Sequence, residues 1–177
     1  MSVIQRYAGK RPVIGARVYL APTAAVIGDV VLGDDVSIWF NSVVRGDCHS
    51  IRIGPRTNIQ DNCAIHVTQG KYSTVLEEEV TLGHGAIVHG AVVRAGALIG
   101  IRATVLDGAD VGASAFIGAG ALVVPRTVVS PRTLWLGTPA REVRALSDAE
   151  VEDLTHFHRN YLVYKEEYFR VEGRWAG

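Results

Sequence analysis

The chain has 177 residues, a length that suits one domain with a substantial core. Its 18 Lys plus Arg balance 18 Asp plus Glu, which leaves no field to gather nucleic acid or an anionic membrane surface. No stretch approaches the ~20 apolar residues that span a bilayer, and Cys48 and Cys63 without a secretion-type leader read as reduced thiols, so the expectation is a soluble cytoplasmic protein.

From the N-terminus the dominant pattern has a period of six. Aliphatic residues open hexads at positions 14, 20, 26, 32, 38 and 44, again at 53, 59 and 65, at 76, 82 and 88, and then from 93 to 117. The fifth place of most hexads is also small or apolar, as at Val18, Ala24, Val36, Cys48, Cys63, Val80, Ala86 and Ala115. A period of six suits neither an amphipathic helix nor unbroken alternation, but it suits short strands separated by bends. Three sides of six residues make a coil of about 18, the signature of a parallel β-helix whose coils stack at the interstrand spacing. Three breaks cluster in the middle: three residues too many between Val44 and Ile53, five too many between Ile65 and Leu76, and one too few between Val88 and Val93. Such excursions often carry function. After Pro125 and Pro131 the hexads are expected to stop, and Gly137-Thr138-Pro139-Ala140 reads as a turn into a helix from Ser147 to about Phe169. Ser147 and Glu150 form a capping box, with Val151, Leu154, Phe157, Tyr161 and Tyr164 or Lys165 as the packed stripe. The resulting division is a β-helix over 1–136 and a turn with a packed helix over 137–177, with Gly173 to Gly177 frayed.

Lettering the sides A, B and C from Val44 turns the sequence into columns. The residue after each A opener is Arg45, His66 and then His89 in successive coils, while the third place of successive C hexads holds Asp61 and then His84. The coils beyond carry Ile27 and Leu106, and Phe40 and Ile101, in those columns, so the polar residues are a local exception. Two imidazoles one rung apart converge on an ion at ~2.0–2.1 Å Zn–N distances. His84 stands on another side, so a third bond requires a neighbouring subunit, and a cyclic homotrimer with metal sites between subunits satisfies that requirement. Three histidines leave an open position, the catalytic zinc pattern, although Fe²⁺ and Co²⁺ accept the same donors. The alternative for each histidine alone is a solvated or wall residue, and for Arg45 and Asp47 a plain ion pair. His49, His156 and His158 lack such company.

The segments Ser37-Ile38-Trp39, Val43 through Asp47, Ile51 through Gly54, Thr57 through Asn62, His66-Val67-Thr68, Gly83 through Ala86 and His89-Gly90 closely resemble the γ-class carbonic anhydrase-like family. The likeness extends to Gly137 through Ala140 and to Asn160-Tyr161. It implies a left-handed β-helix, with His66 and His89 from one subunit and His84 from its neighbour as ligands to zinc. It also implies that Arg45 and Asp47 are the interface ion pair, that Gln60 and Asp61 border the pocket, and that Tyr161 is the helix aromatic near the metal. The implied activity is reversible hydration of CO₂ to bicarbonate by a zinc hydroxide. The chain departs from the family archetype in its excursions: Cys48-His49-Ser50 is short, and Gln69 through Ser73 has none of the acidic residues that shuttle protons there. Hexapeptide-repeat proteins also include acyltransferases, so a metal-dependent CoA-thioesterase or acyltransferase-like activity and a non-catalytic metal-binding scaffold are the rival readings.

Overall fold

The computed structural model of the chain describes residues 2–172; the expected fraying of Gly173 to Gly177 lies outside them. The openers stack rung on rung around three faces. On face A, Val44, Ile65, Val88, Val105 and Val123 pair in succession; on face B, Ile53, Leu76, Val93, Val111 and Val129; on face C, Ile38, Ile59, Leu82, Ile99, Ile117 and Trp135. All belong to one core running up the prism axis, joined by the fifth-place residues Val36, Cys63, Ala86 and Ala115. Each buried aliphatic side chain contributes on the order of 1.5–3 kcal/mol, and the continuous parallel ladders satisfy the backbone between coils.

Faces A and B form one 12-stranded sheet because Ala25–Leu32 and Val43–Ile53 run straight through the corner between them. The first excursion is therefore a bulge in a long strand rather than a protruding loop: the register slips between Gly28 and Val30, opposite Gly46 and Ile51. Gly28 has φ +79°, and a Cβ there would stand 2.3 Å from the Gly46 carbonyl oxygen, so the two strands close only over glycine. The second excursion is a tight loop closed by a bridge from Thr68 to Tyr72.

Two sequence expectations are corrected. The repeat does not stop at Pro125, for Val129 and Trp135 continue the inward columns. Pro125 and Pro131 occupy corners, where a fixed φ and a missing N–H cost nothing, so they punctuate the coil instead of ending it. Likewise Gly137 through Ala140 does not lead straight to the helix. Thr133–Gly137 turns back on Ala140–Ala145 as an antiparallel pair that closes the open edge of face C.

The helix Asp148–Glu172 begins as read. Ser147 N–H donates to Glu150 Oε2 at 2.9 Å and Glu150 N–H to Ser147 Oγ at 3.3 Å, while Arg144 clamps the same carboxylate at 2.7 Å. The Arg144 bond, then those from Ser147, hold Glu150 down at about 2. The helix lies on face C, and of the expected stripe Leu154 and Lys165 are buried and Val151 and Tyr161 half-buried, whereas Phe157 and Tyr164 are exposed and His158 is buried instead. Polarity misled the choice. Lys165 reaches Arg17 O at 2.9 Å and Asp35 Oδ1 at 2.8 Å, and His158 sits 3.9 Å from Glu79, its pKa lowered by burial against that charge. Tyr161 and Tyr168 meet the Trp39 ring edge-on at 5.2 and 5.1 Å.

Candidate metal centre

His66 and His89 are register partners on adjacent rungs of face A, as the column argument requires. Their rings face each other, with His66 Nδ1 3.1 Å from His89 Nε2. Two nitrogens on one tetrahedral zinc, at ~2.0–2.1 Å each, lie about 3.4 Å apart, so a shift of a few tenths of an ångström converts this pair into two ligands of one ion. The remaining nitrogens are held by carboxylates: His66 Nε2 by Asp47 Oδ1 at 2.9 Å, and His89 Nδ1 by Asp107 Oδ1 at 2.6 Å. Carboxylates only accept, so both of those nitrogens donate, and the two nitrogens that face each other are the ones left to hold an ion. Arg45 pairs with Asp47 two residues on along its own strand. Burial alone would raise Asp47, but the hydrogen bonds from His66 and Arg45 together outweigh it and hold the carboxyl at about 2.

His84 lies elsewhere. It stands past the last C strand of its coil, with Nδ1 2.8 Å from Asp61 Oδ2, while Asp61 Oδ1 also accepts the Phe40 N–H at 3.1 Å. Beside it opens a cleft of about 450 Å³ between face C and the helix, lined by Gln60, Tyr161, Leu98, Ile101 and Phe116. Gln60 is 6 % exposed and donates its Nε2 to Asn58 Oδ1 at 3.4 Å, and Asn58 in turn donates to Thr81 Oγ1 at 2.8 Å. That chain turns the Gln60 Oε1 away from Asn58, as an acceptor. Burial, then the Asp61 charge, push the Tyr161 phenol up to about 12, so it is a donor at neutral pH.

The residues singled out from sequence thus fall into two groups. Arg45, Asp47, His66 and His89 share face A, whereas Gln60, Asp61, His84 and Tyr161 share the corner and cleft beside face C. Among the described residues, Asp47, Cys48 and His66 also bring donor atoms within 4.8 Å of one another. Cys48 is a poor ligand there, since burial and then Asp47 raise its thiol pKa and disfavour the thiolate. The facing histidines are the better donor pair. His49 lines a separate small pocket with Asp47 and Cys48 and accepts the Ser50 N–H at 2.7 Å. Asp107 and Asn58 escaped the sequence reading. Asp107 lies just past Leu106, in the coil following His89, at the bend after its strand.

A family model described as bacterial transferase hexapeptide (six repeats) matches residues 11–46. A carbonic anhydrase of Geobacillus kaustophilus is 44% identical over 169 residues, covering 96% of this chain and 92% of that protein. Gamma carbonic anhydrase 2 of Arabidopsis thaliana, a mitochondrial protein, is 40% identical over 158 residues; the match covers 86% of this chain and 57% of the plant protein. Among solved structures, a Bacillus cereus protein described as a candidate acetyltransferase superposes with a TM-score of 0.93 at 38% identity, covering 96% of this chain and 98% of that one. With identity of this order across nearly the whole length and a hexapeptide-repeat β-helix beneath it, the chain belongs to the γ-class carbonic anhydrase-like family.

Proposed function

We propose that the protein hydrates CO₂ reversibly to bicarbonate at a zinc site between the subunits of a homotrimer. His66 and His89 of one subunit and His84 of the partner subunit hold the ion. The observation that carries this reading is the facing pair His66 Nδ1 and His89 Nε2 at 3.1 Å, with His84 and its cleft on a different corner of the same prism. Ile87 and Ala64, on the outward side of face A beside the two histidines, are exposed and offer apolar surface for a neighbouring subunit.

Zinc bound by three imidazoles supplies a water whose pKa is brought near 7, hence a nucleophile at neutral pH. The rest of the work falls to the chain. Gln60 Oε1 accepts from the attacking water and aims its lone pair. The neutral Tyr161 phenol donates to an oxygen of the substrate or of the bicarbonate formed. Leu98, Ile101 and Phe116 give an apolar approach that favours CO₂ over ions. Asp61 holds His84, and Asp47 holds His66 while Arg45 offsets its charge. Stopped-flow hydration by zinc- and cobalt-loaded protein tests the reading; metal shown to be bound with no rate above buffer rejects it.

One observation favours a second reading. A cleft of about 450 Å³ falls in the range that takes drug-sized ligands, and so has room for the acyl end of a thioester. In that reading a metal held by the same residues would supply the water for hydrolysis of a CoA-thioester, with the C–S bond broken to give the carboxylic acid and the free CoA thiol, and turnover of a thioester panel without CO₂ hydration would establish it. The described residues contain no helix long and apolar enough to cross a membrane.

A further inference from the structure

The strongest unassigned feature is the environment of Asp107. Its two oxygens are both used: Oδ1 accepts from His89 Nδ1 at 2.6 Å, and Oδ2 accepts from Thr68 Oγ1 at 2.7 Å. These partners come from three coils. Thr68 opens the five-residue excursion of the His66 coil, His89 is one rung up, and Asp107 is one rung beyond that. The local backbone is shaped to admit the carboxylate. Gly90, immediately after His89, has φ +57°, and a Cβ there would stand 2.4 Å from Asp107 Oδ1 and 2.8 Å from Tyr72 Cβ. Tyr72, at the other end of the excursion, lies against the space a Gly108 side chain would take. The excursion, the one-residue shortening after Val88 and the carboxylate at Asp107 are thereby three parts of one arrangement.

We infer that Asp107 is a positioning residue for His89, fixing the imidazole in its Nδ1–H form so that the Nε2 lone pair faces His66, and that Thr68 fixes Asp107. The chemistry is direct. A neutral imidazole carries one proton, and only its bare nitrogen can bind a metal. A carboxylate at Nδ1 places the proton there and leaves Nε2 bare. Thr68 Oγ1, bonded to the second oxygen, keeps the carboxylate from rotating off the ring. The Thr68–Tyr72 loop is consequently a brace for the metal ligand, not a catalytic loop.

This inference rests on His89 being a metal ligand, and the test separates the two claims. In the metal-free protein, long-range ¹H–¹⁵N correlation spectra report which His89 nitrogen bears the proton. The wild type is expected to show Nδ1–H, and Asp107→Ala a mixture or a shift to Nε2–H. In chelator competition, Asp107→Ala is expected to bind zinc about 10- to 100-fold more weakly, and Thr68→Val, which removes one hydroxyl bond at the loop, to show a smaller loss in the same direction. Asp107→Asn, which retains an acceptor, should keep the tautomer and recover part of the affinity. If Asp107→Ala keeps both the Nδ1–H form and wild-type affinity, the inference is overturned. Should Asp107→Ala fail to fold, Thr68→Val decides by the same two readouts. A wild type that holds no zinc rejects the proposed function, while the tautomer measurement still decides the role of Asp107.

Discussion

A split site makes a quantitative prediction for mixed subunits. His66 and His89 lie on adjacent rungs of face A, while His84 belongs to the corner by Asp61 and the cleft. In a cyclic trimer every interface then takes one histidine from one subunit and two from the next. His84→Ala subunits still offer His66 and His89, and His66→Ala subunits still offer His84. Each variant alone forms no complete set. When equal amounts are unfolded together and reassembled at random, an interface is complete only if its His84 side comes from the His66→Ala chain and its His66 side from the His84→Ala chain. Each condition is met half the time, so about one quarter of the sites are restored. The assay is metal content per trimer after gel filtration, with cobalt absorbance to show that the restored sites share the wild-type geometry. Recovery of about a quarter of wild-type metal supports the interfacial set. If all three ligands came from one chain, every chain in the mixture would lack one and recovery would be nil, which would refute the reasoning.

Further outcomes follow from the local chemistry. Because imidazole binds a metal only through an unprotonated nitrogen, zinc affinity should fall as pH falls, with proton release on binding measurable in weakly buffered solution; pH-independent affinity would exclude this pair. Tyr161, held up at about 12, should stay un-ionised where a free phenol titrates near 10, so the wild-type minus Tyr161→Phe absorbance difference at alkaline pH should titrate near 12. By linkage, its stabilising contribution is complete below about 10 and is lost as pH rises through 12; a difference titration near 10 contradicts the packing described for the helix. Ser147→Ala removes the N-cap acceptor of Glu150 N–H and should cost about 1 kcal/mol in urea unfolding. The residues between Val67 and Ser73 carry no carboxylate, so CO₂ hydration should speed up with the concentration of an external proton-accepting buffer; a rate independent of buffer would require an internal shuttle.

The core was legible because a coil of six-residue sides leaves little freedom: each opener has one inward direction and one partner above it, so Ile65, Val88 and Val105 could be stacked from spacing alone. The same register put His66 under His89. What escaped the reading involves groups whose partners are fixed by corners rather than by rungs. Asp107 lies in a bend, where no period says which way a carboxylate turns. Pro125 and Pro131 looked like terminators because proline ends strands, yet at a corner proline is neutral. On the helix, an apolar pattern favoured Phe157 over His158 and left Tyr164 or Lys165 open, but the face against the prism is chosen by hydrogen bonds as well, and Lys165 is buried by its bonds to Arg17 O and Asp35.

The same geometry explains why the site divides as it does. On the rungs that carry His66, His84 and His89 the strands are only two or three residues long, so each presents at most one or two outward side chains before the chain bends. Three ligands on one face would have to come from three rungs, but the rungs that flank this pair carry Arg45 and Leu106 in the same column, and neither is a donor for zinc. Two rungs supply two imidazoles at 3.1 Å, and a third must arrive from outside the column. Within the chain, His84 is bonded to Asp61 and lines the cleft beside face C instead. On the proposed function, assembly is therefore part of the site, and a subunit that folds alone would bring together only two of its three ligands.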